Sequence, residues 1–267
     1  MTVTSPVMRA GPISAVGRLL RQWRAARGMS QLELALRSGF SARHVSFIET
    51  GRTQPSRQAL IALADTLDVP LRERNQLLNA AGYAPVYRHT PLDDGAMTHV
   101  RGVLEFLLER HKPYAAVLHD RYANCVMGNG VSANLIAQLV DPSVLVPPVN
   151  YLRVTFHPLG ARRFIVNWDD VARHLLARAE RELGTMRNDP AAVALLDELH
   201  GYAGSIARPG GRAPLAADLL LPIHIRKDDL ELRLFSTIMT LGTPQDVTLQ
   251  ELRLETFFPA DEASERV

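Results

Sequence analysis

Ala42, Arg43, Ser46 and Phe47 fall together on one side of a short helical segment, while Val45 and Ile48 fall on the other. The apolar side must face a core, which leaves the first set outward and free to read something. A guanidinium at Arg43 can bond guanine O6 and N7 together, so the chemistry on offer there is recognition. Covalent chemistry has weaker candidates. Gly128-Asn-Gly-Val-Ser-Ala133 mimics a dinucleotide fingerprint, but no acid follows about twenty residues on to hold a ribose, and a tight turn capped by Asn129 accounts for the run. The nine histidines form no H-x-x-x-H pair, and the single cysteine, Cys125, cannot build a zinc cluster within one chain, so no metal is expected. Cys125 reads as a small buried hydrophobe. No G-x-S-x-G elbow occurs, and the pairs Asp169-Asp170 and Asp228-Asp229 fall at a helix start and a turn, where carboxylates are commonplace. Neither an enzyme nor a resident cofactor is expected.

Positioning Arg43 requires its own helix, a tight turn before it and a second helix before that. Ser30 lies three residues ahead of Glu33, the capping-box spacing that satisfies two amides at a helix start. Gly39 can take the positive φ of the turn, Ser41 caps the helix that follows, and Ala35 is small where the two helices must cross. Together these residues spell a helix-turn-helix. Around it, Val16, Leu19, Leu20 and Trp23 recur at helical spacing up to Gly28. Ser56 begins a helix with Leu60, Leu63 and Leu67 inward, and Pro70 begins a last one running to Gly82. The spacing predicts an all-α domain of about five helices over residues 13–82.

Residues 1–82 carry eleven arginines against five acids, a net +6, whereas the whole chain is only +2. A basic front end attracts the phosphate backbone of double-stranded DNA and binds it in a salt-dependent way. Leu20-Arg-Gln-Trp-Arg24, Gly28-Met-Ser-Gln31, Ser46-Phe-Ile-Glu49, Gly51-Arg52, Pro55-Ser56 and Leu63-Ala64 resemble the signature of the Cro/lambda-repressor class, the XRE family. That resemblance implies phosphate contacts from Gln31 and Arg52, with Ala42, Arg43, Ser46 and Phe47 facing base edges. Ala42 and Phe47 could offer only apolar contact to a thymine methyl. Ser41 and His44 complete the expected DNA-facing set, His44 being equally readable as a solvated side chain or a backbone contact. One recognition helix reads few base pairs, so a homodimer on an inverted-repeat operator is expected.

At 267 residues the chain has room for one further domain with its own core. Residues 83–97 read as a linker that includes the polar, turn-rich run His89-Thr-Pro-Leu-Asp-Asp-Gly95. Beyond it the pattern mixes α and β, which makes the chain α+β. A helix over 100–108 ended by Lys112-Pro113, a hairpin of 115–118 and 125–127, and helices over 131–140, 168–183 and 190–200 are expected. A loop over 204–214 precedes two period-two strands, 231–241 and 251–258, joined by Gly242-Thr-Pro-Gln-Asp246 and paired antiparallel. This order resembles a PAS-like sensor fold. Ala115-Ala-Val-Leu118, Asn150-Tyr-Leu-Arg153, Phe156-His-Pro158, Leu195-Leu-Asp-Glu-Leu199, Gly242-Thr-Pro244 and Phe257-Phe-Pro-Ala-Asp261 resemble, more specifically, the ligand-binding domain of MmyB-like transcription regulators over about 98–260. The resemblance implies a small apolar, fatty-acid-like effector held in a cavity. Trp168, Phe235 and Met239 have the size and adaptability to line it, and are equally readable as plain core.

With no apolar run of about 18 residues and no charged-then-apolar leader, a soluble cytoplasmic protein without a membrane partner is expected. The expected function is a ligand-responsive, DNA-binding transcription regulator. Two alternatives stand beside it: a second domain that only dimerises or binds protein, and an enzyme tethered to DNA. An apolar cavity above about 300 Å³ would argue against the pure interaction module.

Overall fold

The computed structural model describes residues 14–186, 189–207 and 220–266. They divide into two compact units. One comprises the chain up to Thr90 together with Thr243–Gln250, and the other Pro91–Gly242 together with the segment from Glu251 onward.

Helices α1 Ala15–Ala26, α2 Gln31–Ser38, α3 Ala42–Glu49, α4 Arg57–Thr66 and α5 Leu71–Ala80 build the first unit, as the residue spacing predicts. Ser14, Ser30, Ser41 and Ser56 each accept a hydrogen bond from the amide three residues on, a cap that contributes about 1 kcal/mol. Only one half of the capping box forms at Ser30, because the Glu33 carboxylate turns instead to Arg37 at 2.6 Å. Gly39, at φ 76°, makes the turn between α2 and α3. Leu20, Leu34, Val45, Ile48, Leu60, Leu63 and Leu67 are buried in a single core, each removing apolar surface worth about 1.5–3 kcal/mol from water. At Gly17 a Cβ would lie 2.6 Å from the carbonyl oxygen of Ile48 and 2.7 Å from that of Glu49, so α1 meets the end of α3 at backbone distance.

Residues 83–90, expected as part of a connector, fold back onto these helices. Asn75 accepts from the amides of Val86 and Tyr87 and donates to the carbonyl of Tyr87. The Thr90 hydroxyl donates to Asp246 at 2.7 Å, and the Leu71 amide to Gln250 at 2.6 Å.

The second unit begins with α6 Thr98–Arg110, β1 Ala116–His119, β2 Cys125–Gly128, α7 Gly130–Leu139 and α8 Tyr151–Phe156. It continues with α9 Trp168–Leu183, α10 Pro190–Ala203, β3 Ile223–Lys227, β4 Leu230–Met239, β5 Arg253–Pro259 and a terminal turn of helix. The five strands run in the order β2-β1-β5-β4-β3, antiparallel at every pairing. Asp120 makes the hairpin turn by accepting from the amides of Tyr122 and Asn124. Asn129 caps α7 through the Ser132 amide at 3.0 Å and braces β1 through the Ala116 amide, the structural role expected of that glycine-flanked run.

Three expectations need correction. The second long strand does not start at Glu251: Val247–Glu251 is a short helix, because Asp246 accepts from the Thr248 amide at 2.8 Å and its carbonyl takes the Gln250 amide. The short elements α8 and β3 were not expected; β3 interleaves Ile223 and Ile225 with His224 and Arg226, which dilutes its apolar signal over five residues. Of the loop expected over 204–214, residues 204–207 form a turn of 3₁₀ helix and the remainder lies outside the described residues. Among the described residues no helix is long and apolar enough to cross a membrane.

Candidate functional site

On α3, Arg43 is exposed and Ser46 and Phe47 are half-buried, while Val45 and Ile48 are fully buried. Of the row expected outward, Arg43 is the exposed member, with Ser46 and Phe47 partly covered beside it. Phe47 organises the row: the Arg43 guanidinium lies 5.1 Å from the ring centroid and that of Arg52 5.7 Å, so one aromatic ring holds two cations. Ala42, expected on the same row, is half-buried and packs against the core. The His44 ring sits 5.4 Å from that of Phe40, and Ser41 is occupied as the helix cap.

Gln31 is held from below. Its side-chain nitrogen donates to Glu49 at 2.7 Å, and Glu49, 2% exposed, also takes the Nε of Arg24 at 2.6 Å and its Nη2 at 2.9 Å. An amide nitrogen has a second hydrogen to give, so Gln31 keeps one donor while anchored. The hydrogen bond to Glu49 keeps the Arg24 guanidinium pKa above its ordinary value against the opposing effect of burial. Arg24 and Glu49 were quoted in the sequence only as parts of a family signature. Their spacing of 25 residues gives no local sign of pairing.

The second unit holds a cavity of about 130 Å³ between the sheet and α7 and α8. Val117, Ile225, Leu234, Glu255 and Phe257 wall it from the strands, and Leu135, Ile136, Leu139, Tyr151 and Val154 from the helices. Trp168, Phe235 and Met239 are not in this wall. Register explains two of the three. Ile238 pairs with Glu255 and Ser236 with Phe257 on the cavity side, whereas Phe235 pairs with Phe258 and Met239 with Leu254 on the opposite side. Phe235 stacks on Phe258 at 5.5 Å, and Met239 is half exposed. Trp168 begins α9 and packs edge-on against Phe156 at 5.2 Å.

Glu255, 4% exposed, is the charged group in the cavity wall. Behind it Arg178 donates from Nη1 and Nη2 at 3.4 Å each, and His119 Nε2 stands 3.7 Å away. Burial raises the Glu255 carboxyl pKa, but His119 and the charge of Arg178 outweigh it and hold the group below the ordinary carboxylate value. Burial, with Asp120 and Glu255 nearby, pushes the Cys125 thiol up to about 11, and burial likewise pushes the Tyr151 hydroxyl up, so both stay protonated. Glu255, Arg178 and His119 escaped the sequence reading. Glu255 shares its strand row with Arg253 and Phe257, so alternation along the strand did not single it out.

Residues 100–267 match the family described as MmyB-like transcription regulator ligand binding domain, and residues 20–74 match the helix-turn-helix family. Among solved structures, the restriction-modification controller protein C.AhdI from Aeromonas hydrophila is 36% identical over 23% of this chain and 88% of its own, with a TM-score of 0.22. The clp gene regulator ClgR from Corynebacterium glutamicum is 30% identical over 27% of this chain and 92% of its own, with a TM-score of 0.24. No curated protein matches the sequence.

Proposed function

The chain belongs to the MmyB-like transcription regulators, with a helix-turn-helix at its N-terminal end and a ligand-binding domain beyond it, and on that premise we propose that it reads an inverted-repeat operator as a cytoplasmic homodimer and answers to a small apolar effector. The observation that supports the DNA reading most directly is the pair of guanidiniums, Arg43 and Arg52, oriented by Phe47 on the open side of α3. In this reading Arg43 meets base edges, Ser46 and Phe47 flank it, and Arg52 and Gln31 grip phosphates. Ala42, being packed inward, contributes little beyond a methyl, and Ser41 and His44 approach the backbone. No catalytic step is proposed.

Replacing Arg43 by Ala is expected to cost about 1–3 kcal/mol at the operator and to relax preference at one base position, whereas replacing Gln31 weakens all sequences alike. Selection from random duplexes, read by sequencing, checks both. The selected sites should show two inverted half-sites about 34 Å apart, or a multiple of that. Unchanged base preference in the Arg43→Ala protein removes that residue from readout, and a monomer on DNA by analytical ultracentrifugation removes the homodimer.

For the effector, support comes from the largely apolar cavity of about 130 Å³. It is smaller than the roughly 300 Å³ of common ligand pockets, so a long acyl chain of the fatty-acid-like kind would need the walls to part. An effector that fits should raise the melting temperature with concentration as RT ln(1 + [L]/Kd) and shift operator affinity reciprocally. Mass spectrometry of the native purified protein that finds no bound small molecule, with no apolar compound altering melting or DNA binding, would sink this reading and favour a pure dimerisation module.

A further inference from the structure

We propose that the return from β4 to β5 carries the state of the cavity to the DNA-binding helices, and that Gln250 is its grip on them; the proposal takes its input from the effector reading and adds the route by which an effector acts.

Helix α5 is the exception in the first unit. The other four helices are capped by serines, whereas Pro70 stands at the cap of α5 and has no side-chain oxygen to offer. The acceptor comes from 179 residues away: Oε1 of Gln250 takes the Leu71 amide at 2.6 Å. Gln250 closes one helical turn with Asp246, its amide donating to the Asp246 carbonyl at 3.1 Å. Asp246, 8% exposed, accepts the Thr90 hydroxyl at 2.7 Å, and the Val247 amide donates to the Arg88 carbonyl at 2.8 Å. Thr243–Gln250 is thus fastened into the first unit at both ends, although it is the connection between two strands of the second. In the first unit α5 shares one core with the recognition helix, through Leu77 and Leu78 with Val45 and Ile48.

The next residue belongs to the other unit. Glu251 receives Nη1 of Arg121, from the β1–β2 turn, at 2.6 Å, and β5 begins two residues later. On β5, Glu255 and Phe257 stand in the cavity wall. A cavity of about 130 Å³ admits a larger guest only if that wall moves. A shift of about 1 Å at residue 251 is enough, because a hydrogen bond stretched to about 3.6 Å is no longer one. Helix α5 then loses its cap, its first turn frays, and the core that seats α3 loosens. An effector therefore weakens operator binding.

The test uses the full-length protein, with decanoate as the probe. Saturating decanoate should weaken operator binding by the native protein at least about fivefold, and operator should weaken decanoate binding by the same factor. Gln250→Ala should bind operator more weakly from the start and respond to decanoate by less than about twofold, while holding decanoate at least as tightly as before. Gln250→Glu keeps an acceptor at the helix start and should restore the response. Arg121→Ala leaves the cap in place and frees the other end, so operator affinity without decanoate should stay within about twofold and the response should be lost. A cycle without ligand runs beside these. Phe257→Ala opens the wall from β5 and should speed hydrogen exchange at the Arg74 amide, which bonds the Pro70 carbonyl in the first turn of α5, at least about threefold. With Gln250→Ala also present, Phe257→Ala should add less than about 1.5-fold.

A full decanoate response in Gln250→Ala or in Arg121→Ala overturns the proposal and leaves the effector reading in place. So does decanoate that strengthens operator binding. If decanoate does not bind at all, the fatty-acid form of the effector reading falls, and the exchange cycle alone decides: Arg74 exchange that ignores Phe257→Ala, or that answers it equally with and without Gln250, overturns the route.

Discussion

Replacing Arg178 by Met destabilises the second unit by about 3–5 kcal/mol, because it leaves the Glu255 carboxylate buried without its cation. Chemical denaturation followed by Trp168 fluorescence in a Trp23→Phe background isolates this unit from the other. The pH dependence separates lost charge pairing from lost packing. In the native protein the Glu255 carboxyl lies below its unfolded value near 4.5, so its contribution is full above that pH and disappears as pH falls through the folded value. Without Arg178 one of the groups that offset burial is lost, with His119 left as the other, and the folded value rises. The variant's deficit is then smallest in acid and grows as pH rises through the new folded value. A second substitution, Glu255→Leu in the Arg178→Met background, should recover most of the loss, since a buried pair replaced by apolar groups is often neutral. A deficit that is flat with pH, or that the second substitution deepens, would show that Arg178 acts through its stem alone.

The first unit was legible in the sequence because its constraints are local. Each serine cap, the positive φ at Gly39 and the inward leucines fall within one or two helical turns of what they control. Gly17 was not legible: only the approach of α3, more than thirty residues on, makes a Cβ there impossible. In the second unit the helix over 168–183 and the pairing of β4 with β5 were readable from periodicity. The composition of the cavity wall was not. Phe235, Met239 and Trp168 were selected by size, but the side a strand residue occupies depends on register, and a difference of one residue exchanges the faces. Leu234, beside Phe235, is in the wall. The ion pair at that wall joins Arg178 and Glu255 across 77 residues, and on α9 alone Arg178 looks like one more member of a solvated i,i+4 pair with Glu182.

Replacing Glu49 by Ala is expected to cost the first unit about 3–5 kcal/mol, the usual penalty for breaking a buried ion pair from one side. The magnitude follows from how much one carboxylate joins. It receives two hydrogen bonds from Arg24 of α1 and one from Gln31 at the start of α2, and it stands at the last residue of α3. Without it, Arg24 keeps only its bond to the carbonyl of Met29 at 2.7 Å, and a guanidinium 14% exposed is left with too little water to compensate. For a small helical unit that loss lowers the melting temperature by at least about 12 °C, measurable through Trp23 fluorescence in a Trp168→Phe background. Glu49→Gln preserves shape and one acceptor and should lose about half as much. Arg24→Lys keeps the charge but not the two-pronged fork, and should fall between them. The same carboxylate fixes the Gln31 amide, so below its melting point the Glu49→Gln protein should bind DNA more weakly with its base preference unchanged. If the midpoint moves by less than about 3 °C, Glu49 is not the joint between the helices, and the place of Gln31 on the phosphate backbone must be set by the α2 backbone instead.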